Sequence, residues 1–242
     1  MSVPYVLEGK TILITGAAGG IGSETARVCA EQGAALVLAD REAPEALAAE
    51  LRAQGSAAQA IAFDVTDRAA AEAAVQRLDR LDALVANAGY CPWDDWNADG
   101  WDDVFRQVID INLLGVMHLT RAALAKMAPQ GSGRMVLVSS VAARMGGLAA
   151  SPHYVAAKGG THAFVKWLAR KGAESGITVN SVAPGATATA MVQGAALDAN
   201  RIPLRRMAQP REIALPIAFL CSDGASYICG ATLDVNGGVY MN

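Results

Sequence analysis

The chain has 242 residues, and its 20 Lys and Arg against 23 Asp and Glu give a net charge of −3 at pH 7. This balance disfavours the basic surface of a protein that binds nucleic acid or anionic membranes. A hydrophobic content of 52% with 18% charged residues excludes a disordered acidic chain. No apolar run reaches the roughly 18–20 residues that span a bilayer, and the first ten residues lack a signal-peptide pattern. We therefore expect a cytoplasmic protein without a membrane partner.

The thiol and imidazole side chains show no metal-binding spacing. The chain has 4 cysteines without a CxxC pair and 3 histidines without an HxxxH or HExxH pair. We expect reduced thiols that act as small buried apolar side chains, and no metal site.

Short apolar runs alternate with longer amphipathic stretches along the whole chain. Strands are predicted at residues 11–15, 35–39, 59–63, 83–86, 135–139, 178–182 and 232–235. Helices are predicted at residues 20–32, 44–54, 68–79, 101–128, 154–174 and 210–221, with loops at 146–152 and 185–203. Continuous apolar runs indicate strands that are buried on both faces of a parallel sheet. The sequence thus predicts an α/β fold over residues 1–242, with a doubly wound seven-stranded parallel sheet and helices on both faces.

A glycine-rich turn, TGAAGGIG at residues 15–22, joins the first predicted strand to the first helix. A dinucleotide phosphate site needs this context, because Gly16 permits the tight turn while Gly20 and Gly22 let the backbone approach a pyrophosphate. The phosphates would then lie at the positive end of the helix. The turn alone is weak evidence, since glycines also make turns that bind nothing.

Asp40 closes the second predicted strand. A carboxylate there accepts hydrogen bonds from the adenosine ribose and repels a 2′-phosphate, so the sequence favours NAD(H) over NADP(H). The neighbouring Arg41 can partly accommodate such a phosphate. Asp40 can also be no more than a helix cap or a solvated carboxylate.

Tyr154 and Lys158 are four residues apart at the start of a predicted helix, so both project from one face. A free tyrosine titrates near pH 10, and two cations, Lys158 and an oxidised nicotinamide, would favour its phenolate. Ser140, at the end of the fifth predicted strand, can hold a substrate oxygen for proton transfer. A Tyr-x-x-x-Lys pair taken alone is usually a chance arrangement on a helix surface. It indicates a catalytic site here because it occurs together with the glycine turn, Asp40 and Ser140.

With these residues in place, the sequence resembles the short-chain dehydrogenase/reductase family over nearly its full length. The motifs that carry the resemblance are residues 15–22, Asp64 and Val65, Asn87-Ala88-Gly89, Asn112, Ser140, Tyr154 with Lys158, Pro184-Gly185, and Asn236-Gly237-Gly238. Ala86 stands where the family usually has a second asparagine. The resemblance implies a single-domain Rossmann fold and a homotetramer, paired through helices 101–128 and 154–174 and through the C-terminal segment.

The resemblance also assigns roles to individual residues. It implies that Tyr154 is the general acid–base, that Lys158 holds the nicotinamide ribose, that Ser140 orients the substrate oxygen, and that Asn112 holds a water linked to Lys158. The residues expected to bind the cofactor are Gly16, Ala18, Gly19, Gly20, Ile21, Gly22, Asp40, Arg41, Asp64, Val65, Asn87, Ala88, Gly89, Tyr154, Lys158, Pro184, Gly185, Thr187 and Thr189. The residues expected around the substrate are Ser140, Ala142, Met145, His153, Tyr154 and Met191, with Trp93, Trp96 and Leu197 in nearby loops.

The sequence therefore predicts NAD(H)-dependent interconversion of a small secondary alcohol and a ketone. Length and the C-terminal tail also resemble 3-oxoacyl-acyl-carrier-protein reductases, which remain an alternative. Gly131 and Ser175 stand where those enzymes typically place basic side chains to hold an acidic carrier. A non-catalytic dinucleotide-sensing protein is a second alternative, because fold alone does not establish catalysis.

Overall fold

A computed structural model describes residues 5–147, 149–193, 195 and 198–241. Within these residues seven parallel strands form one sheet in the order β3-β2-β1-β4-β5-β6-β7. The strands are β1 Thr11–Thr15, β2 Ala35–Asp40, β3 Ala58–Ala62, β4 Ala83–Ala86, β5 Gly133–Val138, β6 Ile177–Pro184 and β7 Thr232–Val235. The predicted doubly wound, seven-stranded parallel sheet is confirmed.

Helices cover both faces of this sheet. The helices are α1 Gly20–Glu31, α2 Glu45–Ala53, α3 Arg68–Gln76, α4 Trp101–Ile109, α5 Gly115–Met127, α6 Ala142–Met145, α7 Pro152–Ala173 and α8 Pro210–Cys221. One apolar layer joins α1, α2 and α8 to the sheet, and the other joins α3, α5 and α7. Along β1, Ile12 and Ile14 enter the first layer while Leu13 enters the second, so this strand is buried on both faces.

The edge strands depart from the prediction. No residue of β3 or β7 is fully buried, and Gln59 and Ala62 of β3 are exposed, because each strand has a neighbour on one side only. The expectation that every strand is buried on both faces is therefore wrong for these two. It holds for the inner strands, where helices cover both sides.

The predicted helix over residues 101–128 is interrupted. A π-helical turn, Asp110–Leu114, separates α4 from α5. Single π turns inside helices are frequent at functional sites, and this one carries Asn112. The whole helical stretch Trp101–Gln130 is long and apolar enough to cross a membrane by composition. Its residues Val116, Leu119 and Met127 are buried in the second apolar layer, as in the core helix of a globular domain.

The strand order fixes where a ligand can bind. β1 pairs with β2 on one side and with β4 on the other, so the order reverses between β1 and β4. In open α/β sheets a crevice forms at such a reversal, at the carboxyl ends of the strands. The glycine turn after β1 and the Asn87-Ala88-Gly89 segment after β4 lie at this edge.

Candidate active site

A cavity of about 550 Å³ lies at the carboxyl ends of the strands, within the usual size range for small-molecule sites. It brings together most of the predicted site residues. The predicted residues that line it are Gly16, Gly19, Gly20, Ile21, Asp40, Arg41, Asp64, Val65, Asn87, Ala88, Gly89, Ser140, Ala142, Met145, Tyr154, Lys158, Pro184, Gly185, Thr187, Thr189 and Met191. Four other predicted residues do not line it: Gly22, Asn112 and His153 are buried behind its wall, and Ala18 is exposed.

The glycine turn is held tightly against the end of β4. Gly16 has φ +66°, and a Cβ atom there would lie 2.8 Å from the Cα of Ala88. A Cβ on Gly22 would collide with the carbonyl oxygen of Gly16. The Asn87 side-chain amide donates to the carbonyls of Thr15 and Gly16, at 3.0 and 3.1 Å. Gly22 therefore packs α1 against the turn, and Asn87 fixes the shape of the turn.

The N-terminus of α1 faces this cavity without a side-chain cap. Its N-cap, Gly19, has extended dihedrals and no side chain, and the first turn carries no acidic residue. The N–H groups at the start of a helix need partners, and an anion is a suitable one. This uncapped terminus therefore fits the pyrophosphate of a dinucleotide.

Asp40 lies at the end of the cavity expected to hold the adenosine. One carboxylate oxygen accepts the N–H of Ala18 at 3.0 Å, and the other accepts the N–H of Arg41 at 2.8 Å. Ala18, which does not line the cavity, thus acts by holding Asp40 beside the glycine turn. The Arg41 side chain is exposed. Asp64 is fixed differently, since it accepts both the N–H and the hydroxyl of Thr66 at 2.8 Å.

Ser140, Tyr154 and Lys158 meet at the other end. Ser140 follows β5 by two residues, and its hydroxyl oxygen accepts the N–H of Ala142 at 3.1 Å. The same hydroxyl lies close enough to the Tyr154 phenol to lower its pKa. The Lys158 ammonium lies 5.7 Å from the centre of the Tyr154 ring and donates to the carbonyl of Val138 at 2.9 Å. The neighbouring Ser139 donates to the carbonyl of Lys158 at 3.3 Å, away from the reacting groups. Strand alternation predicts this division between the two serines.

Burial governs the ionisation of these groups. It raises the pKa of Tyr154 above its ordinary value of 10, an effect to which Cys91 adds and which the nearby Ser140 hydroxyl opposes. Burial lowers the pKa of Lys158 from 10.5 to about 8, against a smaller opposing effect of Cys91. Burial also raises the pKa of Cys91 to about 11. The lowering of the Tyr154 pKa that the sequence predicts is therefore not present in the chain without cofactor.

Asn112 is buried behind Lys158. Its side-chain amide donates to the carbonyls of Tyr90 and Val108 at 2.7 and 3.0 Å, and its oxygen accepts the N–H of Tyr90 at 3.2 Å. A Cβ on Gly89 would lie 2.9 Å from the Asn112 oxygen and 3.4 Å from the Lys158 ammonium. A glycine between them therefore keeps the space that joins these two groups open. The predicted water link stays a prediction.

His153 is placed differently from the prediction. Its side chain is fully buried, its Nε2 lies 3.1 Å from a carboxylate oxygen of Asp94, and its Nδ1 accepts the N–H of Tyr154 at 2.8 Å. The ring stacks on Trp101 with centroids 5.2 Å apart. His153 is therefore not a wall of the substrate pocket. The helix begins at Pro152, two residues earlier than predicted, and this turns His153 inward.

The two tryptophans of the same loop differ. Trp93 lines the cavity, whereas Trp96 is 61% exposed and packs edge-on against Trp101. The expectation that both surround the substrate is therefore wrong for Trp96. Leu197 lies outside the described residues.

Comparison with known proteins identifies the family. A family profile described as enoyl-(acyl carrier protein) reductase matches residues 16–240. The cis-4-hydroxycyclohexanecarboxylate dehydrogenase of Sinomonas cyclohexanicum is 42% identical over 243 residues, which cover 95% of this chain and 96% of that protein. The chain belongs to the short-chain dehydrogenase/reductase family.

Solved short-chain dehydrogenases agree in fold and cofactor class. A 3-oxoacyl-acyl-carrier-protein reductase from Brucella melitensis with bound NAD has a TM-score of 0.90 and 33% identity, covering 98% of this chain and 94% of that one. A chain from Agrobacterium tumefaciens with bound NADP has a TM-score of 0.90 and 33% identity, covering 98% and 99%. The present chain is an oxidoreductase that acts on CH–OH donors with a nicotinamide cofactor.

Two features of this short-chain dehydrogenase, one in the cavity wall and one beside the cavity, were not predicted. Cys91 lines the cavity and affects the ionisation of both Tyr154 and Lys158. Asp94 bonds to the first turn of α7. Their position in the sequence could have indicated both residues, because they follow closely on the Asn87-Ala88-Gly89 motif. Among the described residues no cluster of three His, Cys, Asp or Glu side chains could hold a metal ion.

Proposed function

We propose that this enzyme interconverts a secondary alcohol and a ketone, with NAD(H) as its cofactor and Tyr154 as general acid–base. One observation carries the proposal: Ser140, Tyr154 and Lys158 meet in the cavity that also contains the uncapped N-terminus of α1. A proton-transfer group and a dinucleotide cradle in one cavity suit hydride transfer at a carbinol carbon.

Each residue has a distinct part in alcohol oxidation. Ser140 donates a hydrogen bond to the substrate oxygen and orients it toward Tyr154. The phenolate of Tyr154 takes the hydroxyl proton as the carbinol hydrogen leaves with its electron pair. When bound, NAD⁺ would supply the hydride acceptor and a positive charge that favours the phenolate. Lys158, buried beside the ring, favours the phenolate when it is protonated.

Asp40 supports NAD(H) as the cofactor. Its carboxylate is fixed at the adenosine end, where a 2′-phosphate would meet a like charge. Arg41 beside it limits this preference without cancelling it, because its exposed guanidinium is more strongly screened.

We propose a free small molecule as the substrate. The Sinomonas relative is named for a hydroxyl on a carbon ring, and an apolar wall containing Trp93, Met145 and Met191 suits such a ring. The Brucella relative favours a carrier-bound acyl chain as the second candidate. Gly131 and Ser175 disfavour it, because they offer no charge to an acidic carrier. The homotetramer stays a prediction, which light scattering tests. The cytoplasmic location also stays a prediction.

Tyr154→Phe tests the proposal. The variant should lose turnover of every secondary alcohol or ketone that the wild type converts, by about 100-fold or more, because general acid–base catalysis contributes that much. NADH affinity, measured by fluorescence, should change little. Tyr90→Phe, which removes a phenol from the same cavity, is the matched control. Retained turnover in Tyr154→Phe would refute the mechanism, and NADH binding without any turnover by the wild type would favour a dinucleotide sensor.

A further inference from the structure

Trp93 connects two loops across the cavity. It lies between β4 and α4, lines the cavity and is 37% exposed. Its indole N–H donates to the carbonyl of Met191 at 2.8 Å. Met191 belongs to a short 3₁₀ turn, Ala190–Val192, in the segment after β6. A planar side chain with few rotatable bonds is thus held in one orientation at the cavity wall.

Asp94 fixes the same loop to the helix that carries Tyr154. One carboxylate oxygen accepts the hydroxyl of Ser151 at 2.5 Å, and the other lies 3.1 Å from Nε2 of His153. Partial burial raises the pKa of Asp94, but the hydrogen bonds from Ser151 and His153 outweigh it, so this pKa lies below its ordinary value. The carboxylate is therefore ionised and accepts both bonds.

His153 uses both ring nitrogens in this contact. Because Nδ1 accepts the N–H of Tyr154, the ring proton resides on Nε2 and is donated to Asp94. The ring is also stacked on Trp101, with 6° between the planes. Asp94 is thereby tied to the backbone of the catalytic tyrosine through one side chain.

The segment after β6, which contains Met191, is fixed relative to the glycine turn at residues 15–22, the predicted cofactor cradle. A Cβ on Gly20 would lie 2.6 Å from the methyl group of Thr189, two residues before Met191. The segment that accepts the Trp93 bond therefore rests on the glycine turn. The position of Trp93 is thus set from both sides, by the cradle and by the start of α7.

We propose that Trp93 is the specificity-determining wall of the substrate end of the cavity, and that Asp94 is the residue that positions it through Ser151 and His153. This inference rests on the proposed function, because it concerns the ketone or alcohol converted at Tyr154. A rigid indole at a fixed place limits the bulk of the carbon skeleton whose carbonyl reaches the phenol. Loosening either attachment should widen the range of substrates without changing the proton-transfer group.

The test uses Trp93→Phe, Trp93→Ala and Asp94→Ala, with Trp96→Phe as the matched control in the same loop. Kinetic constants are measured at saturating NADH for cyclic ketones of increasing ring size, and calorimetry of the same ketones with the NAD⁺-loaded protein ranks affinity independently of turnover. Trp93→Phe keeps a ring but loses the N–H, so KM should rise about 5-fold, with kcat nearly unchanged. Trp93→Ala should shift the kcat/KM ratio toward larger rings by about 10-fold or more.

Asp94→Ala should shift the ranking of ring sizes in the same direction as Trp93→Ala, while Trp96→Phe should leave it unchanged. A purely structural role would lower kcat/KM by one factor for every ketone and keep the ranking. An unchanged ranking in both Trp93 variants, by kinetics and by calorimetry, overturns the inference. Absence of turnover by the wild type would refute the proposed function separately, and the calorimetric ranking would still decide the role of Trp93.

Discussion

Replacing Lys158 with methionine should stabilise the cofactor-free protein while abolishing its activity. Lys158 is only 3% exposed, and burial lowers the pKa of its ammonium from 10.5 to about 8. This shift corresponds to about 3 kcal/mol of unfavourable free energy in the folded state at neutral pH. The variant also loses the hydrogen bond to the carbonyl of Val138, and this loss reduces the gain in stability by about 1 kcal/mol. We therefore expect a net gain of about 2 kcal/mol, or a rise in Tm of about 4–8 °C for a chain of this size.

The pH dependence identifies the cause. Below about pH 8 Lys158 is protonated in both states, so the folded protein carries the whole cost of the buried charge. Between about pH 8 and 10.5 the unfolded chain keeps a proton that the folded protein has released, so wild-type stability rises with pH. The advantage of Lys158→Met should be largest near neutral pH and should vanish as the pH approaches 10.5.

Thermal unfolding of both proteins without cofactor, followed across this range, measures the effect. Lys166→Met is the matched control, because Lys166 lies on the same helix but is exposed. Its Tm difference from the wild type should be small and independent of pH. A Lys158→Met protein that is less stable than the wild type at neutral pH, or equally affected at every pH, would contradict the reasoning.

Two further substitutions test the cofactor cradle. Asp40→Asn keeps an acceptor for the N–H of Ala18 but removes the charge, so the preference in kcat/KM for NADH over NADPH should narrow by about 10-fold; an unchanged ratio would show that the carboxylate does not discriminate. Gly22→Ala places a methyl group against the carbonyl of Gly16 and should cost about 1–3 kcal/mol in urea unfolding and weaken NADH binding, whereas Gly159→Ala, with open space around its Cβ position, should do neither. NADH affinity that survives Gly22→Ala would argue against the close approach of α1 to the turn.

Local sequence was sufficient for the inner strands of the sheet and for the close contacts of the glycine turn. The apolar runs of β1, β4 and β5 predict buried parallel strands because each residue of such a strand meets a helix layer. Gly16 and Gly22 are informative because each occupies a place where any side chain would collide with backbone. The exposure of β3 and β7 was not predictable in this way, since it follows from strand order, which is a property of the whole fold.

The inward turn of His153 and the π turn at Asn112 were also beyond the sequence. Both depend on contacts with residues far along the chain, Asp94 for His153 and Tyr90 for Asn112. The pKa of Tyr154 departs from expectation for a related reason. The Tyr-x-x-x-Lys spacing predicts that ring and ammonium share a face, but the effect of burial on each group depends on the cavity walls that the whole fold places around them.

The central claim is that Tyr154 ionises near neutral pH only when the oxidised cofactor is bound beside it. The direct measurement is a tyrosinate absorbance titration of the wild type and of Tyr154→Phe, each without cofactor and with saturating NAD⁺. The Tyr154 contribution is the part of the wild-type tyrosinate absorbance that Tyr154→Phe lacks. Without cofactor it should appear above pH 10, because burial raises the pKa of this phenol. With NAD⁺ it should appear several pH units lower. An identical titration of that signal in both conditions would contradict the account.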